Sequence, residues 1–362
     1  MGMRRVGVLS GGGDCPGINA VIRAITKKAI LDYDLEVIGI HNGFEGLVEG
    51  KWRTLQYTDV SGILALGGTI LGASNKANPF HYPVSEGEEV VFYDYSQKAI
   101  DYYHQMKLDA LICIGGDGTF HIANGLLQKG LNVVGVPKTI DNDLSGTDLT
   151  FGFDTAVHVV TEAIDRIHTT AQSHHRVMVV EVMGRYAGWI ALHGGLAGGG
   201  DVILIPEIPF DINTVCEYIK NRIRSGKTFS IVVVAEGTKP KGGELVIKRT
   251  VKESHDQVRL GGVSYLVGEG IAERIHLETR MVILGHLQRG GSPTAFDRVL
   301  ATRFGTAAIA LVIEGRFGYF PALQGNHIVP LPIEEGIAEL KTIPLNSPLL
   351  GVARSTGTCL GE

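Results

Sequence analysis

Cysteine is scarce in this sequence of 362 residues: Cys15, Cys113, Cys216 and Cys359 form no CxxC pair and lie too far apart to suggest a disulfide framework. The expectation is a reducing, cytoplasmic setting with neither a zinc site nor cross-links. Basic charge is short as well, since 33 Lys and Arg stand against 38 Asp and Glu for a formal net charge of −5. Such a chain has no overall positive field to hold nucleic acid or an anionic membrane, so any anionic ligand must meet cations clustered locally. No apolar run approaches the roughly 20 residues that cross a bilayer. The opening MGMRRVGVLSGGGD turns to glycine too early for the apolar stretch of a signal peptide.

What the chain has in excess is glycine, with 49 residues, well above the roughly 7% of ordinary usage. The glycines fall in clusters at Gly11 to Gly13, Gly67 and Gly68, Gly115 to Gly118, Gly194 to Gly200 and Gly285 to Gly291, each bordering an apolar segment. That placement points to tight loops at strand ends, where a ligand can approach the backbone, rather than to low complexity.

The length suits two lobes sharing a sizeable core. Short runs rich in Val, Ile and Leu alternate with amphipathic stretches, as in a parallel sheet covered by helices on both faces. Strands are predicted at Arg5–Leu9, Glu36–Ile40, Ala110–Ile114, Asn132–Val136, Val177–Val182, Val202–Ile205 and Ser230–Ala235. Helices are predicted at Ile18–Leu31, Gln97–Met106, Thr119–Gln128, Thr155–Gln172, Tyr186–Gly194, Ile212–Ser225 and Tyr265–Glu278. With a break near Gly152, the expected fold is α/β, two doubly wound Rossmann-like lobes with mainly parallel sheets. Ligands in open α/β sheets bind beyond the carboxyl ends of the strands, so the site is expected in the cleft between the lobes.

Three segments carry the chemistry. SGGGDCPGINA, Ser10 to Ala20, follows a strand and opens a helix, which presents backbone N–H groups to a phosphate. It matches neither GxGxxG nor GxxxxGK[ST], and a purely structural turn is the alternative. ICIGGDGTF, Ile112 to Phe120, repeats the arrangement and adds Asp117, a natural magnesium ligand beside a phosphate cradle, or else simply a helix cap. GGDGT also occurs in NAD kinases and lipid kinases. PKTIDND, Pro137 to Asp143, then supplies two carboxylates on one strand-end turn together with Lys138 and Thr139. A hydroxyl acceptor needs a base to take its proton as the P–O bond forms, and Asp141 is the candidate. Asp143 is a second catalytic carboxylate or a turn-former.

With these three, MGRYAGW (Met183 to Trp189), AEGT (Ala235 to Thr238) and ILGHLQRGGSP (Ile283 to Pro293) make six motifs in order over residues 6 to 300. The sequence resembles the phosphofructokinase family. The resemblance implies magnesium-dependent phosphoryl transfer from ATP to the 1-hydroxyl of fructose 6-phosphate. It implies a donor-binding lobe of residues 1–152 with about 288–318, and a sugar-binding lobe of 153–287 with about 319–362. By position it implies that Asp141 is the base, with Thr139 and Asp143 beside it, Asp117 near the magnesium and Arg185 on the phosphoryl in flight. Met183, Gly184 and Glu236 match sugar-holding positions. Arg280, His286 and Arg289 match cations around the 6-phosphate, and Arg176 matches one supplied by a neighbouring subunit of a homodimer or homotetramer. A dianionic phosphate suits several such fixed donors. Gly13, Asn75, Lys76, Gly116, Asp117, Gly118, Thr119 and Lys138 fall on the donor side.

Gly118 is the ATP-type choice in that family, because an Asp there would crowd and repel the α-phosphate. Lys138 resembles the pyrophosphate users, so pyrophosphate stays open as the donor, as does a non-catalytic regulatory subunit. Asn75 and Lys76 replace an arginine common in ATP users, and Ile122 stands where a common ATP pattern has Gly. Of the family's effector site, Arg23, Asp201 and Lys227 fit, Lys27 replaces an arginine, and Thr58 and His168 stand where arginines are expected. Weak or altered effector control follows. The tail PLPIEEGIAEL suggests a helix with no assigned chemistry.

Overall fold

The computed structural model describes residues 4–87, 89–250 and 258–362. The chain opens with β1 (Arg5–Ser10), α1 (Ile18–Tyr33), β2 (Glu36–Ile40), α2 (Phe44–Glu49) and β3 (Trp52–Leu55). The hairpin of β4 (Tyr82–Glu86) and β5 (Glu89–Tyr93) leads to α3 (Ser96–Gln105), β6 (Ala110–Gly115), α4 (Asp117–Gln128) and β7 (Val133–Pro137). Helix α5 (Phe153–His174) carries the chain to β8 (Val177–Val182), α6 (Trp189–Ala197), β9 (Val202–Leu204), α7 (Ile212–Arg224) and β10 (Ser230–Ala235). The hairpin β11 (Ile247–Thr250) and β12 (Val258–Leu260) precedes α8 (Val263–Ile275) and β13 (Thr279–Ile283). Last come α9 (Ala295–Ile313), β14 (Tyr319–Gln324), β15 (His327–Pro332), α10 (Ile333–Gly336) and α11 (Pro348–Ser355).

Seven strands form the first sheet in the order β15-β14-β7-β6-β1-β2-β3, with antiparallel strands only at its two edges. Four parallel strands, β13-β8-β10-β9, form the second. The period of two is visible in the packing: Val6 and Val8 join Ile18, Val21 and Ile22 of α1, whereas Leu9 joins Phe44 and Leu47 of α2. In the second sheet Met178, Val180 and Val182 join the layer of α5 and α6, and Val177 and Val179 join Val215, Ile219 and Val267. One apolar cluster runs through both lobes, because Phe151, Phe153 and Phe304 belong to the same buried group as Val180 and Ile190.

Winding in the first sheet reverses at β1 and β6. β1 connects to β2 through α1 on one face, and β6 connects to β7 through α4 on the other. The loops that leave these adjacent strands therefore diverge and open a crevice at their carboxyl ends.

The predicted strands match observed ones to within a residue or two. Three expectations change. Helix α8 stops at Ile275, where His276 turns left-handed at φ 57° and caps Ala272, so Glu278 instead leads into β13. Helix α6 begins only at Trp189, because residues 184–188 form a loop tied to Gly237 and Glu207. The tail expected with the second lobe divides: β14 and β15 extend the first sheet beside β7, and Cys359 bridges to Val202 in the second. The helix anticipated in the tail is the single turn of α10. Among the described residues no helix is long and apolar enough to cross a membrane.

Candidate active site

The turn after β1 and the start of α4 meet at the crevice. Gly11 donates to Ile114 O of β6 at 2.9 Å, and a side chain at Gly11 would lie 2.6 Å from Thr119 Oγ1, so the two loops close only around glycine. Helix α4 starts at Gly116 with no side-chain cap, which leaves the first N–H groups, Gly118 and Thr119 among them, without an intrahelical partner. Asp117 in that first turn has Oδ1 3.4 Å from His121 Nε2. Asn75 and Lys76 are exposed on the segment that bridges Gly11 through Ser74. Lys138, buried at the end of β7, donates its ammonium to Gly13 O and so ties the third strand-end loop to the first. Burial pushes its pKa down.

The turn after β7 is held by its own side chains. Asp141 N donates to Thr139 Oγ1 at 3.1 Å, Thr150 Oγ1 donates to Thr139 O at 2.6 Å, and Thr150 N donates to Asn142 Oδ1 at 3.1 Å. Asn142, between the two carboxylates, is buried at φ 52°, a left-handed conformation that Asn tolerates and most residues resist. Burial raises the Asp141 pKa, opposed by the cations of Arg289 and Lys138. Burial likewise raises that of Asp143, and the Asp141 charge adds to it, while a hydrogen bond from Thr139 opposes it. Asp117 contributes to the same shift, so the three carboxylates stand within electrostatic reach.

The second lobe faces this turn with the loops after β8, β10 and β13. Met183 N donates to Gln288 Oε1 at 3.2 Å, and Gly184 takes φ 134° where an added Cβ would lie 2.8 Å from Ala187 O. The Arg185 guanidinium lies 4.9 Å from the Tyr186 ring centre. The Glu236 carboxyl is pushed up to about 7 by burial, then by Asp141 and Glu181, against the pull of Arg289 and Arg185. Arg289, at the end of a 3-10 turn over Gly285–Arg289, donates Nη1 to Asp14 O of the loop after β1 at 3.3 Å. Asp141, Glu236, Lys138 and Arg289 from both lobes thus form one electrostatic cluster.

A sequence profile described as Phosphofructokinase matches residues 5–312 of this chain. The chain belongs to the phosphofructokinase family. ATP-dependent 6-phosphofructokinase 2 of Clostridium perfringens is 49% identical over 364 residues, covering 99% of each chain. Pyrophosphate–fructose 6-phosphate 1-phosphotransferase of Amycolatopsis methanolica is 53% identical over 341 residues, covering 94% of this chain and 96% of that one. The phosphofructokinase of Pichia pastoris, solved in the T-state, aligns with a TM-score of 0.81 and 31% identity; the match takes in 99% of this chain, which spans 37% of that longer one.

Two phosphofructokinase-type cations gather elsewhere. Arg176 Nε pairs with Glu278 Oε2 at 2.6 Å, and Arg280 pairs with the other oxygen of Glu278, on an exposed patch beside the edge strand β13. Arg280, expected with His286 and Arg289 around the 6-phosphate, shares Glu278 with Arg176. His286 is exposed on the 3-10 turn. Among the effector positions, Asp201 is already paired with Arg222 at 2.8 Å and accepts from Ile231 N at 2.9 Å. Lys27 donates to the Tyr57 hydroxyl at 3.0 Å.

Among the described residues no group of three or more His, Cys, Asp or Glu is arranged to hold a metal ion. A lone carboxylate such as Asp117 at a phosphate cradle still suits magnesium, which keeps several waters and takes phosphate oxygens as ligands. Two residues at this site escaped the sequence reading. Gln288, which fixes Met183, lies inside a recognised motif but looks like an ordinary polar residue there. Lys341, whose ammonium sits 2.9 Å from Asn142 Oδ1, comes from a tail with no motif at all.

Proposed function

We propose that this chain is a 6-phosphofructokinase that moves the terminal phosphoryl group of ATP to the 1-hydroxyl of fructose 6-phosphate, giving fructose 1,6-bisphosphate and ADP in the cytoplasm. The observation that carries the reading is the half-buried Asp141 carboxylate, pushed toward higher pKa and within electrostatic reach of Lys138 and Arg289. Such a group is a stronger proton acceptor than an ordinary carboxylate, as abstraction of a hydroxyl proton requires.

Asp141 takes the proton of the 1-hydroxyl as that oxygen attacks the terminal phosphorus, and the bond to ADP breaks. The Thr139 hydroxyl accepts from Asp141 N and donates to the Asp143 carboxylate. Arg185 meets the charge that spreads over the phosphoryl oxygens. Gly13, Gly116, Gly118 and Thr119 turn backbone and hydroxyl donors toward the polyphosphate, with Asn75, Lys76 and Lys138 around it. Asp117 would hold magnesium, which when bound would neutralise part of the polyphosphate charge. Met183, Gly184 and Glu236 hold the sugar, while His286 and Arg289 approach its 6-phosphate. Arg176 and Arg280 complete that phosphate site from a neighbouring subunit, since they share Glu278 on an exposed patch.

Lys138 favours a second reading with pyrophosphate as donor, because its buried ammonium sits where a leaving phosphate would be neutralised. A coupled assay of fructose 6-phosphate with magnesium and ATP, then with pyrophosphate, tests both. ATP turnover is expected. Turnover with pyrophosphate alone assigns the second reading, and none with either leaves a non-catalytic subunit.

A further inference from the structure

The tail of the chain runs across the catalytic turn. Leu340 bridges Leu144, Lys341 N donates to Asp143 O at 2.9 Å, and Ser145 Oγ donates to Glu339 O at 2.8 Å. The Lys341 ammonium then passes beneath the turn and gives its three hydrogens to Asn142 Oδ1 at 2.9 Å, Thr147 O at 2.8 Å and Asp148 O at 3.0 Å. Asn142 is the left-handed residue between the two carboxylates, and its Oδ1 also accepts from Thr150 N at 3.1 Å.

The same strap reaches the second lobe. Trp189 Nε1 donates to Lys341 O at 2.8 Å, and Ile343 N donates to Glu207 Oε1 at 2.9 Å. Glu207 also accepts from Gly188 N at 3.0 Å, at the end of the loop that carries Arg185. The strap therefore joins the turn bearing the base to the loop bearing the arginine. The Lys341 ammonium meets the turn across 193 to 199 residues of sequence, and the strap meets the second lobe across 136 to 152.

We propose that Lys341 is a positioning residue for phosphoryl transfer, locking the Asp141–Asp143 turn and, through residues 339–343, fixing it relative to the Arg185 loop. This deepens the proposed function and rests on it. Three oxygens and three ammonium hydrogens leave no spare donor for solvent, as expected of a rigid node rather than a surface cation. Burial pulls the Lys341 pKa down to about 8, against the nearby carboxylates of Asp143 and Asp148. His193 of α6 is within its electrostatic reach, its own pKa lowered by burial and by this ammonium. A cation so placed also steadies the ionised form of Asp143.

The test compares wild type with Lys341→Met, and with Lys341→Gln should the first be insoluble, in steady-state assays from pH 5.5 to 8.5 at roughly saturating substrates. Folded content is checked by circular dichroism. Expected is a fall in kcat of about ten- to a hundredfold, KM for fructose 6-phosphate changed less than about threefold, and the acidic limb of the kcat profile moved up by about half a pH unit or more. Loss of folded molecules alone lowers kcat without moving that limb. An unmoved limb, or kcat within about twofold of wild type, overturns the proposal while wild-type turnover keeps the parent reading. Wild type inactive with both ATP and pyrophosphate overturns both.

Discussion

Asp141 and Glu236 are both pushed up by burial, yet opposite outcomes follow from their replacement. Asp141→Ser removes a group that acts as the proton moves, so kcat should fall by about 10²- to 10⁴-fold with sugar KM within a few-fold. Steady-state kinetics in the coupled assay read both constants, and turnover surviving within about tenfold would assign the base elsewhere. Glu236 instead costs the fold something at neutral pH. Its pKa is about 7 in the folded chain against an ordinary 4.5, so between those values the unfolded chain has released a proton that the folded one keeps. Stability is then full below about 4.5 and falls as pH rises toward 7. Glu236→Gln removes that loss and should raise stability at pH 8 by on the order of 1–2 kcal/mol, with little gain at pH 4.5. Melting curves at the two pH values decide it, and an equal gain at both would show that the ionised carboxylate is not the cause. The same substitution should weaken sugar binding.

The elements most legible in the sequence were the ones whose both faces are covered. β1, β6, β7, β8 and β10 are buried along nearly their whole length, so each appears as a short run rich in Val, Ile and Leu. The edge strands β3, β13 and β15 and the β4–β5 hairpin escaped notice because they are half-exposed and mix polar with apolar residues. The same division holds for the site. Gly118, Thr139, Asp141 and Asp143 sit within short motifs at strand ends and could be read from local order alone, while Lys341 and the Glu278 grouping of Arg176 with Arg280 depend on contacts that only the fold creates. The start of α4 gives a test at this scale. Gly118→Asp sets a second carboxylate beside Asp117 in the first turn, where α-phosphate is expected. kcat/KM for ATP should drop at least about tenfold while pyrophosphate is spared. An unchanged ATP rate would place the donor determinant on another element.

At the scale of the whole molecule, two cations proposed for the sugar-phosphate site share an exposed carboxylate at the edge of the second sheet. Arg176 and Arg280 hold each other's place through Glu278 rather than reaching Asp141. β13, which carries Arg280, is an edge strand, and Ile283 at its end and Leu287 in the turn that follows are 42% and 69% exposed. An edge strand with apolar side chains is a template for another chain, and a two-fold dimer formed there would bring each Arg176 to its partner's sugar site. Arg176→Ala should then raise KM for fructose 6-phosphate by about tenfold or more, the loss of a charge-assisted phosphate contact. Complementation separates this from a defect within one chain. When Asp141→Ser and Arg176→Ala chains are coexpressed with different tags and the mixed dimer is isolated, one site of each pair regains Asp141 from one chain and Arg176 from the other. The hybrid should recover about half of the wild-type rate at low sugar concentration, far above either parent. A hybrid no more active than the mean of its parents would mean that Arg176 serves its own chain, and the shared-site assembly would have to be abandoned.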